Sequence, residues 1–125
     1  RPLQIGGNKN KKKMVEIEIL YSQYGPLLTD KQRDILSMYY EEDYSLGEIS
    51  NILGTSRQSI FDSLKRSEKS LRDYEAKLGM VKKFKNIDEE INKLADKVEN
   101  LGKKSGNLEE SSQLIELIDK IRELI

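Results

Sequence analysis

Eight polar side chains within residues 56–72 have the types and spacing to hold a nucleic acid: Ser56, Arg57, Gln58, Ser59, Lys65, Arg66, Lys69 and Arg72. The guanidinium of Arg57 is a fork that matches guanine, and at a helix start it can instead hold a phosphate beside free backbone amides. Gln58 carries the paired donor and acceptor that read adenine. Ser59 is small enough to admit a close approach. Lys65, Arg66, Lys69 and Arg72 can track phosphates along one flank of a helix. Asp62 and Glu68 interrupt this set, and a phosphate backbone would repel them. Phe61 is read as core filling, with contact to a thymine methyl as the alternative.

Other chemistries lack their residues. The chain of 125 residues has no His and no Cys, which removes the usual general base, the nucleophilic triads that need it, and thiolate metal sites. Its glycines do not form a phosphate-binding loop. The carboxylate pairs Glu41/Glu42 and Glu89/Glu90 sit in charge runs, and Glu41-Glu42-Asp43 lacks the spacing and glycine of a calcium loop. No enzyme, cofactor or metal site is therefore expected. No apolar run reaches a membrane span, so no membrane association is expected, and a cytoplasmic location fits the absence of Cys. The net charge of zero conceals blocks: residues 57–85 carry nine basic and four acidic groups, whereas residues 29–56 carry two and six. The positive block coincides with the candidate contact residues, as a nucleic-acid surface requires.

Those residues need a scaffold, and the stretch from Leu46 to Lys65 reads as a helix-turn-helix. Leu46, Ile49 and Leu53 line one side of a first helix, and small Ser50 allows close packing. Gly54 suits a tight reversal, and Ser56 caps a second helix with Ile60, Leu64 and Leu71 inside. Such a pair commonly places its second helix in a major groove. Ile49, Leu53, Ile60 and Leu64 are the expected core of the motif.

The rest of the chain reads as helix too, so the fold class is all-α with five or six helices. Arg1 to Lys13, with Lys11-Lys12-Lys13, is read as a disordered tail, and Arg1–Gly7 as a remnant added for expression. A first helix runs from about Met14 to Tyr24, with Val15, Ile19, Tyr21 and Tyr24 as candidate core; Gly25-Pro26 stops it. Thr29 and Gln32 form a capping box for a second helix that buries Ile35, Leu36, Met38 and Tyr39, and Ser45 with Glu48 forms another for the helix that follows. Beyond the motif, Ile60, Leu64, Ser67, Leu71, Tyr74, Leu78 and Val81 keep steps of three and four, with Gly79 as a point of bending or restart. The seam continues through Phe84, Ile87, Ile91, Leu94, Val98 and Leu101. Gly102 to Gly106 reads as a break, and Asn107 caps a last helix with Leu108, Leu114, Ile115, Ile118, Ile121 and Leu124 apolar. The last two helices should form an antiparallel hairpin. The expected division is a tail at 1–13, a helix-turn-helix domain at 14–85 and a helical extension at 86–125. The seam is longer than the motif needs, so a homodimer is expected unless the last helix covers it.

The segments LLTDKQ (27–32), YYEEDYSLGEIS (39–50), SRQSIFDSLKRSEKSL (56–71) and DYEAKLG (73–79) resemble the YlxM family of small bacterial helix-turn-helix proteins. The motif half is also similar to region 4 of sigma-70-type sigma factors, which reads the promoter −35 element. Thr55 departs from the apolar residue usual in that turn. The resemblance implies a regulatory role, and a place in the signal recognition particle pathway, with the particle's RNA or protein components as partners. It matches Ser56, Arg57 and Gln58 to the family's helix start and Lys65, Arg66 and Lys69 to its basic run. Two readings follow: a regulator that binds DNA or RNA through this helix, or a protein-interaction module in which the helix-turn-helix is only scaffold.

Overall fold

The structure is a computed structural model that describes residues 11–125, and the expected tail over residues 1–10 lies outside them. Six α-helices follow one another: α1 (Lys11–Tyr24), α2 (Asp30–Leu36), α3 (Leu46–Leu53), α4 (Arg57–Leu78), α5 (Met80–Ser105) and α6 (Leu108–Leu124). No strand occurs among the described residues. They fall into two compact units, one ending at Val81 and the other spanning Lys82–Ile125.

In the first unit, α1, α2 and α3 each pack on α4. The core joins Ile17, Leu20, Tyr24, Leu28, Ile35, Leu36, Ile49, Ile60, Leu64 and Leu71. The buried line of α1 is thus Ile17, Leu20 and Tyr24, a three-and-four spacing; Val15 and Ile19, expected inside, lie on the opposite face and are exposed. The expected tail residues Lys11–Lys13 form the first turn of α1. Both capping boxes are present: Thr29 and Gln32 exchange hydrogen bonds of 3.2 and 3.1 Å, and Ser45 and Glu48 bonds of 3.1 and 2.9 Å. After α2 the helix widens into a π turn over Ser37–Glu41, where Glu42 N–H donates to the Ser37 carbonyl at 2.9 Å. Asp43 then takes a left-handed φ of 63°, which a short polar side chain tolerates, and the chain leaves the helix at the expected acidic corner.

Gly54 ends α3 with φ 67°, and Ser56 Oγ accepts the Ser59 amide at 3.0 Å to start α4. Two buried serines let the helices approach: Ser50 Oγ donates to the Gly47 carbonyl and Ser67 Oγ to the Ser63 carbonyl, each at 2.8 Å, so neither hydroxyl is buried unbonded. Leu53, expected in the core, is 38% exposed because it is the last residue of α3, where the turn leaves. The expected restart falls at Gly79, which caps α4 at φ 60°. The first amides of α5 are satisfied from the core: Met80 N–H donates to Tyr24 Oη at 3.1 Å and Val81 N–H to Glu75 Oε1 at 3.0 Å. Leu71, counted above in the extended seam, belongs to this first core.

The second unit is an antiparallel hairpin of α5 and α6. Ser111 Oγ donates to the Val98 carbonyl at 3.3 Å, and Arg122 Nη2 to Asn92 Oδ1 at 2.6 Å. Gly102 lies inside α5 rather than in a break: a Cβ there would stand 2.4 Å from Ser111 Cβ, so its lack of a side chain lets α6 come in. The break is confined to Gly106 (φ 76°) and Asn107, whose side chain accepts the Glu110 amide at 3.3 Å.

Candidate nucleic-acid interface

The turn after α3 presents the first turn of α4 to solvent, where Ser56, Arg57 and Gln58 are exposed and Ser59 is partly so. Ser56 is occupied as the cap. The Arg57 guanidinium folds back over α3, close enough that a Cβ on Gly47 would meet it at 2.6 Å. Gln58 Nε2 donates to Asp62 Oδ1 at 2.9 Å, so one of its base-reading groups is already in use. By the helical period, Gln58, Asp62 and Lys69 lie opposite the buried line Ile60–Leu64–Leu71. This outward face is the one a groove would meet.

The remaining cations divide between two edges of α4. Lys65 and Arg72 lie towards α1, and Arg66 lies exposed on the other edge. Lys65 stands 5.4 Å from the centroid of the Phe61 ring and 3.8 Å from Glu68 Oε1. Phe61 is 40% exposed, so it is not core filling. Arg72 pairs with Glu16 of α1 at 3.0 Å, a bond that also raises its pKa, and Lys69 pairs with Asp73 one turn on at 2.7 Å. Three of the four flank cations therefore already have a carboxylate neighbour. These pairs are exposed on at least one side and each is weak in water, so a phosphate can replace the carboxylate at small cost.

Glu68 does not face the outward surface at all. It is buried, accepts a hydrogen bond from the Tyr40 hydroxyl on Oε2, and meets Lys13 of α1 at 3.1 Å on Oε1. It cannot repel a nucleic acid as an exposed carboxylate would; Asp62 alone of the two acids stands on the contact face. Burial, then the bond to Glu68, raises the Tyr40 pKa, so Tyr40 stays a neutral donor. Burial lowers the Lys13 pKa, but the Glu68 carboxylate beside it opposes this and the pKa is left raised; the neighbouring Lys13 lowers that of Lys65. Sequence reasoning missed this cluster. Its one local signal was the position of Glu68 on the step Leu64–Ser67–Glu68–Leu71, a core phase occupied by a charge.

No group of three or more acidic side chains that could hold a metal ion occurs among the described residues, and no helix among them is long and apolar enough to cross a membrane. The fold and the presented helix define a helix-turn-helix protein. Residues 11–123 match the model of the helix-turn-helix family described as YlxM / p13 like, UPF0122, and the chain belongs to that family. It is 58% identical over 78 residues to UPF0122 protein TTE1463 of Caldanaerobacter subterraneus subsp. tengcongensis, covering 62% of this chain and 67% of that one. It is 45% identical over 103 residues to a UPF0122 protein of Thermoanaerobacter sp. (82% and 85% of the two chains). It is 40% identical over 109 residues to UPF0122 protein YlxM of Bacillus subtilis (87% and 96%). This is a family of helix-turn-helix proteins rather than of enzymes.

Proposed function

We propose that this protein is a cytoplasmic regulator that binds nucleic acid through α4. One observation carries the reading: the second helix of the helix-turn-helix turns Gln58, Lys65, Arg66 and Lys69 to solvent while its other side holds the core. In this reading the start of α4 (Ser56, Arg57, Gln58, Ser59) meets base edges and the first phosphate. Lys65, Arg66, Lys69 and Arg72 follow the backbone, exchanging Glu68, Asp73 and Glu16 for phosphates. The resemblance of segments 27–79 to the YlxM family supports DNA or the RNA of the signal recognition particle as the target, and the particle's proteins as further partners. The homodimer belongs to the same reading, since it would present two copies of α4.

A second reading has its own support. Asp62 stands in the middle of the outward face and holds Gln58, and three of the four flank cations are paired within the chain. In that reading the helix-turn-helix is scaffold for a protein interaction. An anisotropy titration of the full chain against mixed-sequence duplex DNA and against particle RNA, each at two salt concentrations, separates the two. Binding that weakens steeply with salt supports the first. No binding by a chain whose helicity is intact rejects it in favour of the second.

A further inference from the structure

The α5–α6 hairpin buries little of its apolar surface. Ile91 and Ile118 are its buried hydrophobic residues, while Leu94, Leu101, Leu114, Leu117, Ile121 and Leu124 remain between 41% and 84% exposed. These six are not scattered. On α5, Leu94 and Leu101 lie seven residues apart, roughly a quarter-turn from the line that meets α6 (Ile91, Val98, Gly102). On α6, Leu114, Leu117, Ile121 and Leu124 step by three and four, again roughly a quarter-turn in the same rotational sense from the line that meets α5 (Ser111, Ile118, Arg122). Because the two helices are antiparallel, equal rotations in the same sense bring both lines to one side of the hairpin. The result is a single apolar face two helices wide, larger than isolated surface leucines make. Each helix thus carries an apolar arc wide enough for two neighbours and has one within its own unit, which is the pattern of half a four-helix bundle.

The charges name the missing half. From Lys82 to Ser105, α5 carries seven basic and five acidic groups; α6 carries two basic and five acidic. The hairpin is therefore one positive and one negative helix side by side, complementary to itself when turned over. We propose that this face packs on the same face of a second copy, with α5 of each copy lying antiparallel along α6 of the other about a two-fold axis parallel to the helices. The other two-fold arrangement stacks α5 on α5 and α6 on α6, which opposes like net charges. The axis chosen leaves the levels of the helices unchanged. Counting from the Asn92–Arg122 bond, Lys104 then falls level with Glu110 of the partner subunit, and both lie on the sides of their helices that carry the face. The proposal deepens the homodimer part of the reading above and needs no nucleic acid.

The test is sedimentation equilibrium of the full chain, without nucleic acid, across micromolar concentrations. The wild type should be a dimer. Leu117→Glu, and separately Leu101→Glu, place a charge on the face without touching the buried line; each should weaken dimerisation at least about tenfold while helicity is retained. Lys104→Glu should also weaken it, and adding Glu110→Lys in the same chain should restore it. A monomeric wild type overturns the proposal, as does a dimer indifferent to Leu117→Glu and Leu101→Glu. A lysine reversal without effect overturns the α5-on-α6 pairing. If Leu117→Glu leaves the mass unchanged but raises amide exchange in residues 11–81, the face is covered by the chain's own first unit, which also overturns it. A monomer that binds DNA or RNA rejects this dimer and leaves the nucleic-acid reading standing.

Discussion

Replacing Glu68 by Ala is the sharpest probe of the first unit, because it removes a buried carboxylate that two other elements hold. The Tyr40 hydroxyl loses a charged acceptor, an interaction worth about 1.5–3 kcal/mol. Lys13 loses an ion pair at 3.1 Å, but its side chain is 35% exposed, so screening holds that contribution below about 1 kcal/mol. Together the substitution should cost roughly 2–4 kcal/mol. Glu68→Gln keeps an oxygen for Tyr40 and should cost less. Glu68→Met fills the space but leaves the Tyr40 hydroxyl and Lys13 without their acceptor, so it should cost more than Glu68→Gln. The assay is built into the sequence. All six tyrosines, at 21, 24, 39, 40, 44 and 74, lie in the first unit, and the chain has no Trp. Tyrosine fluorescence in a urea titration therefore reports that unit alone and avoids mixing two transitions. A loss below about 0.5 kcal/mol for Glu68→Ala, the range of an ordinary surface change, would refute the burial and the bond to Tyr40 together.

Other expectations follow from single contacts. Gly102→Ala drives a methyl group into Ser111 and should destabilise the hairpin by about 1–3 kcal/mol, read as faster amide exchange in residues 82–125, with Ser111→Gly restoring protection. Unfolded tyrosines ionise near 10.0, whereas burial raises Tyr21, Tyr24 and Tyr40 in the folded chain. The folded state then holds more protons above that pH, so the first unit should keep its stability up to about pH 9–10 and lose it as the pH climbs further; raised Lys13 acts in the same direction and lowered Lys65 against it. Urea midpoints that stay level from pH 8 to pH 11 or so would contradict this. If α4 binds nucleic acid, Asp62→Asn should tighten binding by removing repulsion and freeing Gln58, while Lys69→Ala should weaken it about equally for all sequences and reduce the salt slope by about 0.9 on duplex DNA. Anisotropy titrations at two salt concentrations measure both.

What the sequence made legible was local, and what it hid was set by contacts between distant segments. The caps at Thr29, Ser45 and Ser56, the reversal at Gly54 and the restart at Gly79 each depend on a few adjacent residues, so the helix-turn-helix and the all-α class could be read directly. The phase of α1 could not: Val15, Ile17, Ile19, Leu20, Tyr21 and Tyr24 spread apolar groups around most of the helix, and only packing on α4 selects Ile17, Leu20 and Tyr24. Gly102 looked like a breaker because Gly lowers helix propensity; the contact that outweighs this is nine residues further along the chain, at Ser111. The contact residues show the same limit. Their types and spacing announced a basic flank on one helix, but Glu16, which holds Arg72, lies 56 residues away, and Glu68 changes from a repulsive surface charge to a buried latch once Tyr40 and Lys13 are brought to it. Burial of Glu68 therefore moves the main electrostatic objection to α4 as a contact helix onto Asp62 alone, and the Asp62→Asn titration becomes the point at which the nucleic-acid and scaffold readings diverge. A contact helix gains affinity when that charge is removed, whereas on a scaffold helix the change has no phosphate to act on.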